Sequence, residues 1–223
     1  MRSASRWTLP QVWRRSREVL QREGARSLAL RMIGELVYRR MILMQRPFDF
    51  SMRDIELDVP TTFRPLDVED VDLYLALRPD ADEAEIRRRF ELRHVCYGAF
   101  RDDRLVQACW IATERAYIDY LHAEIRLLSG VGYLYDLYAV PEARGLNLHR
   151  AMWPYVFRYF RNTGAIYVLA AFHPENGIQR IFVRLGFIKI GTVGYVGTGP
   201  ARRLFYRGAP VLDERPRRSR GLY

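Results

Sequence analysis

The chain is poor in several residue types that carry chemistry or mark a class. Of its 36 basic residues only Lys189 is a lysine, and it has two cysteines and four histidines in 223 residues. Cys96 and Cys109 have no metal-ligand spacing, and His94, His122, His149 and His173 form neither HxxxH nor HxxH, so no metal site is expected. Apolar runs are short. Val168 to Phe172 and Met41 to Met44 fall well below the roughly 18 to 20 residues that cross a bilayer. The amino-terminal segment carries arginines without the apolar stretch of a secretory signal, so a cytoplasmic location is expected.

What the chain does have is 49% hydrophobic residues, enough for a packed core, and a net charge of +10 placed at its ends. Residues 1–46 carry +8 and residues 201–223 carry +5, which leaves −3 on the remainder. Arginines in the carboxyl tail are not interleaved with stacking aromatics, so nucleic acid is not the expected partner and residues 208–223 read as a basic disordered tail.

Residues 1–46 read as a basic amphipathic helical extension. Ala29, Ile33, Leu36, Val37, Met41 and Met44 recur at intervals that form one helical stripe. Such a helix suits an anionic membrane surface, so a peripheral position at the inner face of the membrane stays open. So do contact with a partner protein, packing on its own domain, and a homodimer. Residues 47–60 read as a linker, and a domain is expected over 61–207. Its order is strand, two helices, a strand pair, then strand, helix, strand, helix and two terminal strands. This is an α/β (α+β) fold with a mixed, mostly antiparallel central sheet of about six to seven strands flanked by helices.

Asp67 caps the first helix of that domain, and Asp102 and Asp103 suit a two-residue hairpin turn. Counting outward from that turn places Cys96 opposite Cys109. Reduced core thiols are the reading, with a disulfide as the alternative. Tyr117 to Ser129 has no clear period and could wall a pocket.

Chemistry concentrates in two segments. Tyr133 to His149, YLYDLYAVPEARGLNLH, passes from a strand through a proline turn into a helix, whose first amides and positive dipole end suit a pyrophosphate. Thirty residues on, His173 to Phe187, HPENGIQRIFVRLGF, leaves a buried strand, forms a helix and closes on Gly186-Phe187. Together they resemble the GNAT superfamily of N-acetyltransferases, whose pattern is V-x-P, then Q/R-x-x-G-x-G/A, and later N and Y-x-x-x-G-F. The resemblance spans about Thr61 to Arg207, its motifs Tyr133 to Phe187.

The resemblance implies an acyl-CoA-dependent N-acyltransferase, with acetyl-CoA or another acyl-CoA as co-substrate, no metal, and an amine on a small molecule, amino acid or amino sugar as acceptor. It implies that Arg144, Gly145, Leu146, Asn147, Leu148 and His149 hold the CoA pyrophosphate, that Val140 also belongs to the cofactor site, and that Asn176 helps hold the pantetheine arm. Asn147 and His149 stand where the family has glycine, and Phe182 where it often has a tyrosine that acts as general acid.

Attack by an amine requires proton removal, because an amine of pKa near 10 is mostly protonated at neutral pH. Asp136, a carboxylate in an aromatic strand just before the turn, is a candidate base; pairing with an arginine is its alternative. Tyr138, on the same face by alternation, is a candidate for orienting the acceptor or donating to sulfur, or is a core aromatic. His173, at the end of a strand, is a candidate base or acid, or a loop histidine bonded to backbone. A different function class stays open: a catalytically silent module of this fold that binds CoA or a lipid-linked ligand, located by its basic amino-terminal helix.

Overall fold

Asp102 and Asp103 both adopt left-handed backbone, φ 47° and 58°, and close the hairpin of β3 (Val95–Arg101) and β4 (Arg104–Ala112) as a two-residue turn of primed type. The computed structural model in which this is seen describes residues 37–49, 53–161, 163–174, 179–208 and 217–218. Beyond the turn the register slips between Ala99 and Phe100, so that Tyr97 faces Cys109 and Cys96 faces Trp110. The slip sends the two cysteines to opposite faces of the sheet. Both are buried free thiols, Cys96 against the first two helices and Cys109 under the long third one.

A second expectation is corrected at the amino terminus. Residues 38–47 form strand β1 (Tyr38–Pro47), not the end of a helix. Met41 and Leu43 pack on one face of the sheet and Ile42 and Met44 on the other, the period of two that a central strand requires. The apolar run Met41 to Met44 is continuous because both faces are covered, and a run of that kind matches a helical stripe equally well over four residues. The remainder of the expected helix, residues 1–36, lies outside the described residues, as do most of residues 208–223.

Among the described residues the main sheet has eight strands in the order β10-β9-β1-β8-β7-β4-β3-β2. Besides those above they are β2 (Thr62–Leu66), β7 (Val131–Ala139), β8 (Tyr167–Phe172), β9 (Ile188–Val196) and β10 (Arg203–Gly208). Only β7 and β8 pair in parallel; the other pairings are antiparallel. β1 is thus inserted between β8 and β9. Gly194 of β9 lies so close to the Arg39 carbonyl of β1 that a side chain there would collide with it.

Asp67 accepts from the Glu69 amide and forms a capping box with Asp70 at the entry to α1 (Val71–Leu77). Asp82 caps α2 (Glu83–Glu91) in the same way. These two helices cover one face around Tyr74, Ile86 and Trp110. The opposite face carries α3 (Leu148–Phe160), which buries Met152, Trp153, Val156, Phe157 and Phe160, and the short α4 (Gln179–Arg184). The segment without a clear period is a small hairpin of β5 (Arg115–Ile118) and β6 (Ala123–Arg126), seated on Tyr133 and Leu169.

His94 lies 6% exposed between these parts, with Nδ1 2.6 Å from the Tyr135 hydroxyl and Nε2 3.1 Å from the Arg115 carbonyl. A carbonyl only accepts, so Nε2 carries the hydrogen and Tyr135 donates to Nδ1. Burial, then the charge of Arg89, press its pKa from 6.5 to about 4, with the Arg115 bond opposing. A histidine held neutral in the fold but protonated when unfolded makes stability fall as pH drops from 6.5 towards 4. The expected loss over that window is of the order of 3 kcal/mol. Urea unfolding at steps between pH 4 and pH 7 measures it, and His94→Gln should flatten that limb.

Candidate active site

β7 and β8 stay paired from Val131↔Tyr167 to Leu134↔Ala170 and then part. Beyond that point β7 runs on beside β4, with Tyr138 opposite Ala108, while Ala171 and Phe172 of β8 stay with β1. The facing edges of the two strands are thereby left without a strand partner between them.

A bulge marks the parting. Asp136 has φ 48°, and the register against β4 shifts between Ala108 and Trp110. Bulges turn successive side chains to the same face. Here Tyr135 and Asp136 both meet Arg89, whose guanidinium lies 5.1 Å from the Tyr135 ring and 2.7 Å from the Asp136 carboxylate. Asp136 also accepts from Arg78 at 2.9 Å and from the Tyr74 hydroxyl at 3.1 Å.

Burial raises the pKa of that carboxyl, but the charge and hydrogen bond of Arg89, then Arg78 and Tyr74, outweigh it and hold the group below its ordinary value. The arginine-paired reading of Asp136 is therefore the one its geometry supports. A carboxylate depressed below the usual range and bonded to three donors is a poor proton acceptor at neutral pH. Tyr138 lies beside this network, half-buried, with the Arg78 guanidinium 4.6 Å from its ring.

β7 is followed by Val140, whose amide bonds to the Val106 carbonyl. Pro141–Ala143 make a single 3₁₀ turn, and Arg144 Nε reaches back to the Ala139 carbonyl at 3.3 Å, bracing the turn. Gly145 follows at φ 84°, with open space where a side chain would stand. Asn147, exposed, caps α3 in left-handed backbone at φ 56°, a conformation that asparagine tolerates better than most residues.

Between Gly145 and His149 no amide is bonded to a backbone carbonyl among the described residues. Five successive N–H groups thus stand without a backbone partner at a helix start, with exposed Arg144 and Arg150 on either side. Leu146 is half-buried and Leu148 buried beneath it. His149 is half-buried, and burial followed by the charge of Arg150 lowers its pKa.

His173 directly follows β8. Its Nε2 lies 3.1 Å from the Tyr120 hydroxyl, and the two rings meet edge-on at 5.1 Å. Gln179 Nε2 donates to the His173 and Pro174 carbonyls at 2.7 and 3.0 Å and fixes the turn. The structure thus sets His173 against the β5–β6 turn, and Asp136 and Tyr138 against α1 and α2. Asn176 lies outside the described residues. Phe182 is buried between Phe172 and Phe187, with ring centroids at 4.5 and 4.8 Å, and serves packing.

Sequence reasoning missed Arg78, Arg89, Asp119 and Tyr120. Asp119 sits on the β5–β6 turn. It reaches solvent, yet burial on its inner side, with Glu85 and Asp136 nearby and Arg89 opposing, pushes its carboxyl up to about 6. A cavity of about 660 Å³ lies elsewhere, between β2, β3 and α2, lined by Leu66, Phe90, His94 and Tyr159, and meets none of residues 144–149. Among the described residues no group of three or more His, Cys, Asp or Glu is placed to hold a metal ion, and no helix is long and apolar enough to cross a membrane.

No family model and no curated protein matches the sequence. Solved structures do match the fold. A GCN5-related N-acetyltransferase from Kribbella flavida superposes with a TM-score of 0.51 at 16% identity, over 80% of this chain and 65% of that one. A functionally unknown conserved protein from Staphylococcus epidermidis gives 0.47 at 12% identity, over 74% and 64%. AAC(6')-Iy in complex with the bisubstrate analogue CoA-S-monomethyl-acetylneamine gives 0.47 at 19% identity, over 67% and 99%. The chain spans less than two thirds of the length of the first two. Its fold is that of the GCN5-related N-acetyltransferases.

Proposed function

We propose that this chain, built on the GCN5-related N-acetyltransferase fold, transfers an acyl group, most simply acetyl, from CoA to an amine of a small molecule, an amino acid or an amino sugar. The observation that carries this reading is the row of amides from Gly145 to His149 without a backbone partner among the described residues, which follows β7 beyond the point where that strand parts from β8. The pyrophosphate of CoA would take those amides, with Arg144 and Arg150 as countercharges. Its pantetheine arm, rich in amide groups, would run along the open edge of β7 as an added strand does.

That course would bring the thioester to the bulge at Asp136, with Tyr138 further along β7 and His173 at the end of β8. His173 takes the proton of the attacking amine. Asp136 acts by fixing Arg78 and Arg89 and thereby the acceptor-side wall, whose acidic members Glu85 and Asp119 favour a cationic amine. Release of free CoA thiol from acetyl-CoA, followed over a panel of primary amines, tests the reading. Turnover is expected for the full chain, with a fall of about 100-fold or more in kcat for His173→Ala. Tight CoA binding without turnover would point to the silent module instead, which Asp136 locked in ion pairs and Phe182 locked in the core would suit.

A further inference from the structure

We propose that Tyr120 delivers the proton that the CoA sulfur needs as it leaves, and that His173 recharges it; the proposal rests on the acyl-transfer reading above. A thiol has an ordinary pKa near 8.5, so a departing thiolate is captured fastest by a proton donor already in place. Phe182 has no proton to give. Tyr120 has one. It sits on the β5–β6 turn, on the sheet face to which alternation along β8 sends His173, since Leu169 and Ala171 lie there and Phe172 lies opposite.

Three features set Tyr120 apart from the other tyrosines on that face. Its hydroxyl touches His173 Nε2 at 3.1 Å, which links it to the group that takes the amine proton. Its backbone is held from another strand, because Arg39 of β1 donates Nη1 to the Tyr120 carbonyl at 3.0 Å. The same guanidinium lies 4.8 Å from the centre of the phenol ring, where a cation favours negative charge gathering on the ring and its oxygen. By contrast Tyr133 is buried in the core and Tyr135 spends its hydroxyl on His94.

The proton inventory balances. The amine nitrogen forms a bond to the acyl carbon, and the carbon–sulfur bond breaks with its electron pair on sulfur. The nitrogen's proton passes to His173. The phenolic proton of Tyr120 passes to sulfur, and the imidazolium returns its Nε2 proton to the phenolate oxygen. An ammonium acceptor loses two protons on becoming an amide: the first leaves to solvent before attack, the second passes through His173 and Tyr120 to sulfur, and no other reactant is consumed.

Tyr120→Phe keeps the ring beneath Arg39 and removes only the hydroxyl. Steady-state kinetics of the full chain with acetyl-CoA and its best amine, calorimetric titration with acetyl-CoA, and a thermal melt are run in parallel. The expected result is a fall in kcat of about 100-fold or more with both KM values, acetyl-CoA affinity and melting temperature unchanged. Wild-type kcat in Tyr120→Phe would overturn the proposal while leaving the transfer reading intact. Equal losses of affinity and kcat would also overturn it, by making Tyr120 a wall of the site. Absence of turnover in the unaltered chain with every amine would overturn the transfer reading and this proposal together.

Discussion

Removal of residues 1–47 will abolish cooperative unfolding, because the deletion takes a central strand out of the sheet. β1 pairs with β8 over six positions, Ile42 to Pro47, and with β9 from Tyr38 to Gln45. Without it β8 and β9 each expose an unpaired edge, and Leu43 and Met44, 0% and 2% exposed, leave voids on both faces. A domain of this kind has only about 5 to 15 kcal/mol of net stability. Leu43→Ala alone should cost about 2 to 5 kcal/mol. Circular dichroism melts of the shortened chain are expected to lack a sharp transition; one within a few degrees of the full chain would show β1 to be dispensable. β8 carries His173 at its end and Arg39 holds Tyr120, so the loss of β1 should reach the candidate site as well.

Asp136→Asn should destabilise the protein by about 3 to 5 kcal/mol, since it strips the carboxylate from two guanidiniums that the fold has withdrawn from water. The Arg89 side chain is 8% exposed and keeps Glu85 at 3.1 Å as its remaining partner; that of Arg78 is 16% exposed and keeps Asp80. The sign of the pH dependence follows from the depressed pKa of Asp136. Its contribution is present above the ordinary carboxylate range and is lost as pH falls through the folded-state value, below about 4. Denaturant midpoints give the cost directly. The double variant Asp136→Asn with Arg89→Met should lose less than the sum of the two single variants. A cost under about 1 kcal/mol together with abolished turnover would restore Asp136 to the role of base.

The turn chemistry was readable along the chain: Asp67 as a cap, Asp102-Asp103 as a two-residue turn, Asn147 where a glycine's left-handed backbone is expected. Short-range rules govern each of these, so a few neighbouring residues suffice. Register was not readable. One slip at Ala99 and Phe100 reversed the facing of the two cysteines, and the bulge at Asp136 placed two consecutive side chains on one face, which strict alternation forbids. β1 was hidden because its four central residues are apolar on both faces. The partners of Asp136 come from 58 and 47 positions away in Arg78 and Arg89, a distance at which no period or spacing carries information. Tyr120 and Asp119 had a weaker signal: Ala116 and Ile118, then Ala123 and Ile125, alternate on either side of them, which is the mark of a hairpin tip.

The most direct test of the central claim is a calorimetric titration of the full chain with acetyl-CoA, repeated on Asn147→Val, whose branched side chain opposes the left-handed backbone that presents the amide row. One molecule bound per chain, with affinity lowered at least several-fold in the variant and an unchanged melting profile apart from about 1 to 2 kcal/mol of local strain, is the predicted result. No saturable binding up to millimolar acetyl-CoA, or equal affinity in the two proteins, would contradict it.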